Sequence, residues 1–274
     1  MSKAVSARVR SAFAGLAICV VTVGLAGCSS KDDNNTYVEQ PVELLYNRAM
    51  DDLANLEYKA AAKGFEEVDR QHPYSVWATK AQIMAAFTYY ESNKYDEAVI
   101  ALDRFIQLHP GHRDIPYAYY LKALCFYEQI SDVGRDQRIT QQALDALAEV
   151  VKRFPESPYA RDARLKVELA IDHLAGKEMS VGRYYQSNQQ YVGAINRYRV
   201  VIERYQTTTH VPEALHRLVE SYLALGVKSE AQEAAAVLGY NFPGSEWYQD
   251  SYFLMTGEGT KPSDEKRGWL FGLF

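Results

Sequence analysis

Five stretches of the 274-residue chain share one spaced pattern, and a repeat of this kind restricts the fold more than any other feature. Aligned on Tyr58, Tyr95, Thr140, Tyr191 and Lys228, each stretch carries alanine three residues on, at Ala61, Ala98, Ala143, Ala194 and Ala231. Seven residues on stand Phe65, Leu102, Leu147, Tyr198 and Ala235, and ten on Val68, Phe105, Val150, Val201 and Leu238. These offsets fall on one face of an α-helix. Fifteen residues on come Pro73, Pro110, Pro155, Gln206 and Pro243, and proline suits a position just past a helix end. A second helix is expected behind each boundary, with caps at Ser75, Asp114, Ser157 and Ser245. Eight residues past the boundary a small side chain recurs, at Ala81, Ala118, Ala163, Ala214 and Ser251, which lets two helices approach closely.

The unit is therefore helix, turn, helix, with boundaries 37, 45, 51 and 37 residues apart. This build resembles the tetratricopeptide repeat, whose period is about 34 residues; Asn93-Lys-Tyr-Asp-Glu-Ala-Val is the best single match. The expected fold is all-α, a right-handed solenoid of five units at about 41–73, 74–110, 111–155, 156–206 and 207–243, with a capping helix at 244–255 and a tail at 256–274. Such units bury their apolar faces only by stacking, and the first helices line the concave side. The surplus residues fall at 131–138, read as a loop, and at 174–182. With 16 Gly and 9 Pro the chain is poor in both punctuators, as a helical protein is.

The first 27 residues hold Lys3, Arg8 and Arg10, no acid, and an apolar run over 12–23 that is too short for a membrane span of about 20 residues. They read as a secretory signal. Leu25-Ala-Gly-Cys28 resembles the lipobox of bacterial lipoproteins, which implies acyl chains on Cys28; Ser29 behind it implies sorting to the outer membrane. Residues 28–40 then form a polar tether. With Cys19 lost in the signal and Cys28 acylated, Cys125 is left alone, read as core, and no internal disulfide is expected. A net charge of −5 speaks against a nucleic-acid partner.

No nucleophile elbow, phosphate-cradling glycine loop, dinucleotide fingerprint or metal-spaced histidine set is found. His109 and His112 flank a Pro-Gly turn and read as turn residues, and His72 as a packing residue, so neither a metal nor a cofactor beyond the lipid on Cys28 is expected. Tyrosine, at 21 residues, is the unusual component, and it favours binding surfaces because it packs and hydrogen-bonds at once. Tyr46, Tyr89, Tyr90, Tyr119 and Tyr120, on first helices, are candidates for a substrate groove; adjacent pairs cannot both point inward. Arg183, Tyr184, Tyr185 and Arg197 cluster where the register is stretched and are candidates for a partner interface.

The lipobox, the five repeats, Val181-Gly-Arg-Tyr-Tyr185, Tyr191-Val-Gly-Ala-Ile-Asn-Arg197 and the stretch over 213–226 together resemble the BamD family of outer-membrane lipoproteins over nearly the whole mature sequence. The resemblance implies a non-enzymatic scaffold of β-barrel assembly, anchored to the outer membrane on its periplasmic face. Its partners would be a BamA-type barrel protein held by the C-terminal repeats, other lipoproteins of that machinery, and unfolded outer-membrane proteins received by the N-terminal repeats. Two features depart from the pattern: Gln206 stands at a proline position, which would loosen one turn, and the aromatic tail ending Trp269-Leu-Phe-Gly-Leu-Phe274 is long. Another repeat lipoprotein of the envelope, a secretin pilotin or a coordinator of cell-wall synthesis, is the alternative.

Overall fold

A computed structural model describes residues 39–258; the expected signal, Cys28 and the tail beyond Glu258 lie outside the described residues. Eleven helices follow one another there: α1 (Val42–Ala54), α2 (Tyr58–Gln71), α3 (Val76–Glu91), α4 (Tyr95–Leu108), α5 (Ile115–Tyr127), α6 (Arg138–Arg153), α7 (Ala160–Ser187), α8 (Tyr191–Arg204), α9 (Val211–Ala224), α10 (Lys228–Asn241) and α11 (Glu246–Thr256). They pair as five helix-turn-helix units with α11 as a final cap, a tetratricopeptide solenoid. Each helix packs on the one before and the one after it, and first helices also touch the first helix of the next unit.

The repeat columns are the core. Ala61, Ala98, Ala143, Ala194 and Ala231 are wholly buried, as are Val68, Phe105, Val150, Val201 and Leu238 ten residues into the pattern. So is the small-residue column, Ala81, Ala118, Ala163, Ala214 and Ser251. Zero exposure at every one of these positions follows from stacking: each faces a helix of its own unit on one side and of the next unit on the other.

Ser75 and Ser245 accept from the backbone N–H of Ala78 and Tyr248 and so cap α3 and α11. The other two expected caps differ. Asp114 precedes α5 without a side-chain cap bond, and α7 starts behind Tyr159 rather than Ser157, whose hydroxyl is buried and caps nothing. The turn between the helices of a unit has its own signature. Leu56, Asn93, Gln189 and Gly226, each two residues before the repeat's first column, sit at φ between 58° and 77°. Only the third unit lacks this turn, and there residues 128–137 form the loop expected from the surplus.

The second surplus is no loop. Residues 174–182 are helical throughout, and α7 runs unbroken for 28 residues. Gly176 and Gly182 within it are buried, and Tyr198 lies where a side chain on Gly182 would stand. The turn at Gln206 is held without proline, by Thr208 Oγ1 donating to Tyr205 O at 2.8 Å and Thr209 Oγ1 donating to Asp172 at 3.0 Å. Among the described residues no helix is long and apolar enough to cross a membrane.

Candidate functional site

Two neighbouring parts of the first-helix layer carry most of the unusual side chains. In the first part, tyrosines on α5 follow the helical period: Tyr117, Tyr120 and Tyr127, with Leu124 between them, share one stripe. Tyr120 stacks on Tyr159 at 5.2 Å and 21° between planes, and Tyr117 meets the same ring at 5.4 Å. The Tyr120 hydroxyl donates to Asp162, one turn into α7. Lys166 reaches Asp162 at 2.9 Å and lies 5.3 Å over the ring of Tyr127. On α3, Tyr90 meets Tyr95 at 5.9 Å.

The titration of these groups reflects the same environment. Burial first, then the Glu128 carboxylate, pushes the Tyr90 phenol up to about 12, and burial with Tyr159 does the same to Tyr117. Tyr120 is raised as well, by burial and by its bond to Asp162. Asp162 is held below the usual carboxylate range by that bond and by Lys166. The result is a half-buried row of phenols with acids beside it, carried by α3, by α5 and by Tyr159 just before α7.

The five groove candidates divide. Tyr90 and Tyr120 lie on this row. Tyr89 and Tyr119, their neighbours in sequence, turn away as helical geometry demands. Tyr89 donates to Glu66 on α2 and is pushed up to about 12 by burial and that contact. Tyr119 packs on Phe154 at 5.3 Å, under the guanidinium of Arg153 at 5.2 Å. Tyr46 lies against Phe65 at 5.5 Å and Trp77 at 4.9 Å, inside the first two units. Tyr117, Tyr127 and Tyr159 were missed, although the three- and four-residue spacing on α5 would have found the first two.

The second part joins α7, α9 and α11 through charge. One guanidinium nitrogen of Arg183 lies 3.0 Å from both carboxylate oxygens of Glu213. Arg217 bonds Glu220 at 2.7 Å and is 3.5 Å from Glu213. Gln186 donates to Glu220 at 2.9 Å and accepts from the buried Tyr198 hydroxyl at 2.7 Å. His216 closes the network, 2.8 Å from Ser251 on α11 and 3.5 Å from Glu220. Burial alone would raise the Glu220 carboxyl, but His216 and Arg217 outweigh it and hold it at about 2. Glu213, Arg217 and Glu220, at spacings of four and three on α9, were also missed; that spacing was their signal.

The four interface candidates are not one patch. Arg183 turns to α9. Tyr185 and Arg197 line a shallow pocket of about 280 Å³ with Gly193, Asn196 and Val200 on the α7–α8 side, and Arg197 pairs with Glu178 at 3.1 Å. Tyr184 stands 66 % exposed between them. Of the remaining polar groups, His109 bonds Gln82 at 2.9 Å, His112 stands 3.6 Å from Asp114, and His72 bonds Gln40 O at 2.8 Å. The Cys125 thiol is buried and pushed up to about 12 by that burial, which leaves it unreactive.

The chain is similar to known proteins over most of its length. The family model described as "Outer membrane lipoprotein" matches residues 38–238. The outer membrane protein assembly factor BamD of Caulobacter vibrioides is 50 % identical over 252 residues, covering 91 % of this chain and 83 % of the relative. Those of Rickettsia prowazekii and Neisseria meningitidis serogroup A are 46 % and 35 % identical, covering 87 % and 83 % of this chain and 95 % and 91 % of the relatives. On the match over most of its length, the chain belongs to the BamD family of outer membrane lipoproteins.

Proposed function

We propose that this chain is a non-enzymatic scaffold for assembly of β-barrel proteins at the outer membrane, anchored on the periplasmic face through acyl chains on Cys28 and using no other cofactor. The half-buried tyrosine row from α3 to α7 receives extended, partly apolar segments of unfolded outer-membrane proteins. The charged half, α7 to α11, fixes a BamA-type barrel protein and its accompanying lipoproteins. The assembly role is supported by the relatives' shared description as assembly factors. The observation that carries the binding mode is the row itself: phenols on α3, α5 and the turn before α7 present apolar faces at low entropic cost, with acids beside them. The anchor confines the search for clients to the membrane surface and raises their effective concentration.

Affinity purification of the lipidated chain after crosslinking in cells, with partners identified by mass spectrometry, tests this reading. Recovery of a barrel protein with periplasmic repeats is expected, and Tyr90→Ala with Tyr120→Ala should reduce the yield of unfolded clients without loss of that partner. Recovery of secretin or cell-wall proteins in its place would discard the reading and keep the fold.

A further inference from the structure

The long α7 carries α9 past the end of α5, and a cleft of about 640 Å³ opens at the step. Its wall is apolar, formed by Tyr127, Ile130, Val133 and Leu169, the last 58 % exposed although it sits in mid-helix. Gly176 closes the floor; a Cβ there would stand 3.3 Å from His210 Nε2 and 3.5 Å from Val133. The cations beside the cleft are engaged: Arg183 with Glu213, Lys166 with Asp162 while lying 5.3 Å over one face of the Tyr127 ring, Lys177 with Gly134 O at 2.9 Å, and His210 3.6 Å from Asp172. Glu128, at the rim, makes no ion pair among the described residues. The cleft thus has one apolar wall, a polar side of Asp172, His173, Arg183 and His210, and one unpaired carboxylate at its rim, Glu128, which suits a short peptide that carries cations beside aromatic side chains.

The chain itself supplies one. Beyond Glu258 the sequence ends Lys266-Arg267-Gly-Trp269-Leu-Phe-Gly-Leu-Phe274, a cationic pair directly before a run of large apolar residues. Reach is sufficient. α11 runs beside α9, with Ser251 against His216, so the chain leaves near the end of α9 opposite His210. Returning along α9 takes about 20 Å at about 1.5 Å per residue, and crossing two helix spacings takes about 20 Å more. The thirteen residues from Gly257 to Trp269 span at most about 40 Å when extended, and Phe271 to Phe274 extend farther.

We propose that residues 266–274 dock in this cleft of their own chain, with Trp269 and Phe271 against the wall of Tyr127, Ile130 and Leu169 and the cationic pair beside Glu128. The tether makes this docking a step within one molecule, so its extent does not depend on protein concentration. The inference concerns the tail alone and stands whether or not the tyrosine row receives barrel proteins.

The test uses the full chain with a photo-crosslinking phenylalanine in place of Phe271. Attachment to residues 127–133 or 169–176 is expected, at a yield independent of protein concentration. Leu169→Asp should lower that yield at least fivefold with an unchanged melting curve, because the side chain is largely exposed, and Lys266→Glu with Arg267→Glu should lower it likewise. Four results would each overturn the proposal. They are no attachment at the cleft, a yield indifferent to Leu169→Asp, attachment only between two copies, and attachment only to lipid when vesicles of phosphatidylethanolamine and phosphatidylglycerol are added.

Discussion

The seams between successive first helices are built in two chemistries. Between α5 and the start of α7 the first-helix layer joins through rings, Tyr117 and Tyr120 against Tyr159, with one bond to Asp162 at the edge. From the middle of α7 to α11 it joins through a polar network: Arg183 with Glu213 and Gln186 with Glu220 between α7 and α9, His216 with Ser251 between α9 and α11, and Arg217 bracing both acids within α9. The buried columns beneath are the same in both halves, so the repeat's own packing does not require either chemistry. Rings slide and repack at little cost, whereas a buried ion network holds only when every member is placed. One half is adaptable and the other is locked, the contrast on which the proposed division between client and partner rests.

Removing a member of the locked half should have the largest effect. Arg217→Ala removes the cation shared by Glu213 and Glu220 and leaves them Arg183 and His216, and a loss of about 3 kcal/mol is expected in thermal or urea unfolding. Acid should separate the halves next. The Glu220 carboxyl, ordinarily at about 4.5, sits at about 2 in the fold. Its contribution is complete above pH 4.5 and is lost as pH falls toward 2, on the order of 3 kcal/mol in all. With Trp77 and Trp269 replaced by Phe, emission from Trp247, which packs on His216 at 5.3 Å, should change in that window. Trp77 alone, in the ring-joined half, should respond less, since Asp162 there is more exposed.

Gly182→Ala should cost about 1–3 kcal/mol, because the new methyl meets the ring of Tyr198, which is fully buried and cannot swing aside. Tyr120→Phe should cost least, about 1 kcal/mol. It removes the bond to Asp162 but keeps the stack on Tyr159, and an NMR titration should find Asp162 shifted back up toward the ordinary range. A larger loss from Tyr120→Phe than from Arg217→Ala would reverse the contrast drawn between the halves.

The fold was legible because its determinants are periodic. Alanine at Ala61, Ala98, Ala143, Ala194 and Ala231 and the apolar columns behind it are local patterns, and burial at zero exposure follows from them. The 28-residue α7 was not legible. Gly176 and Gly182 weaken a helix when counted by propensity, and only contacts with His210 and Tyr198 explain them. Directions within the tyrosine pairs were half legible: that Tyr89 and Tyr90 diverge follows from helix geometry, but which one faces the inner row depends on how neighbouring units are rotated. Arg183 looked like a surface residue because its partner, Glu213, lies thirty residues on and on a different helix.

Because each helix touches little beyond its neighbours along the chain, almost every contact is closed by residues a few tens apart. Loop-closure entropy is therefore small at every step, and folding is expected to be fast and able to begin in any unit. A chain delivered from its N-terminus can complete each unit as it arrives. At every stage one apolar face is left open, that of the newest unit, until α11 arrives and ends the growth.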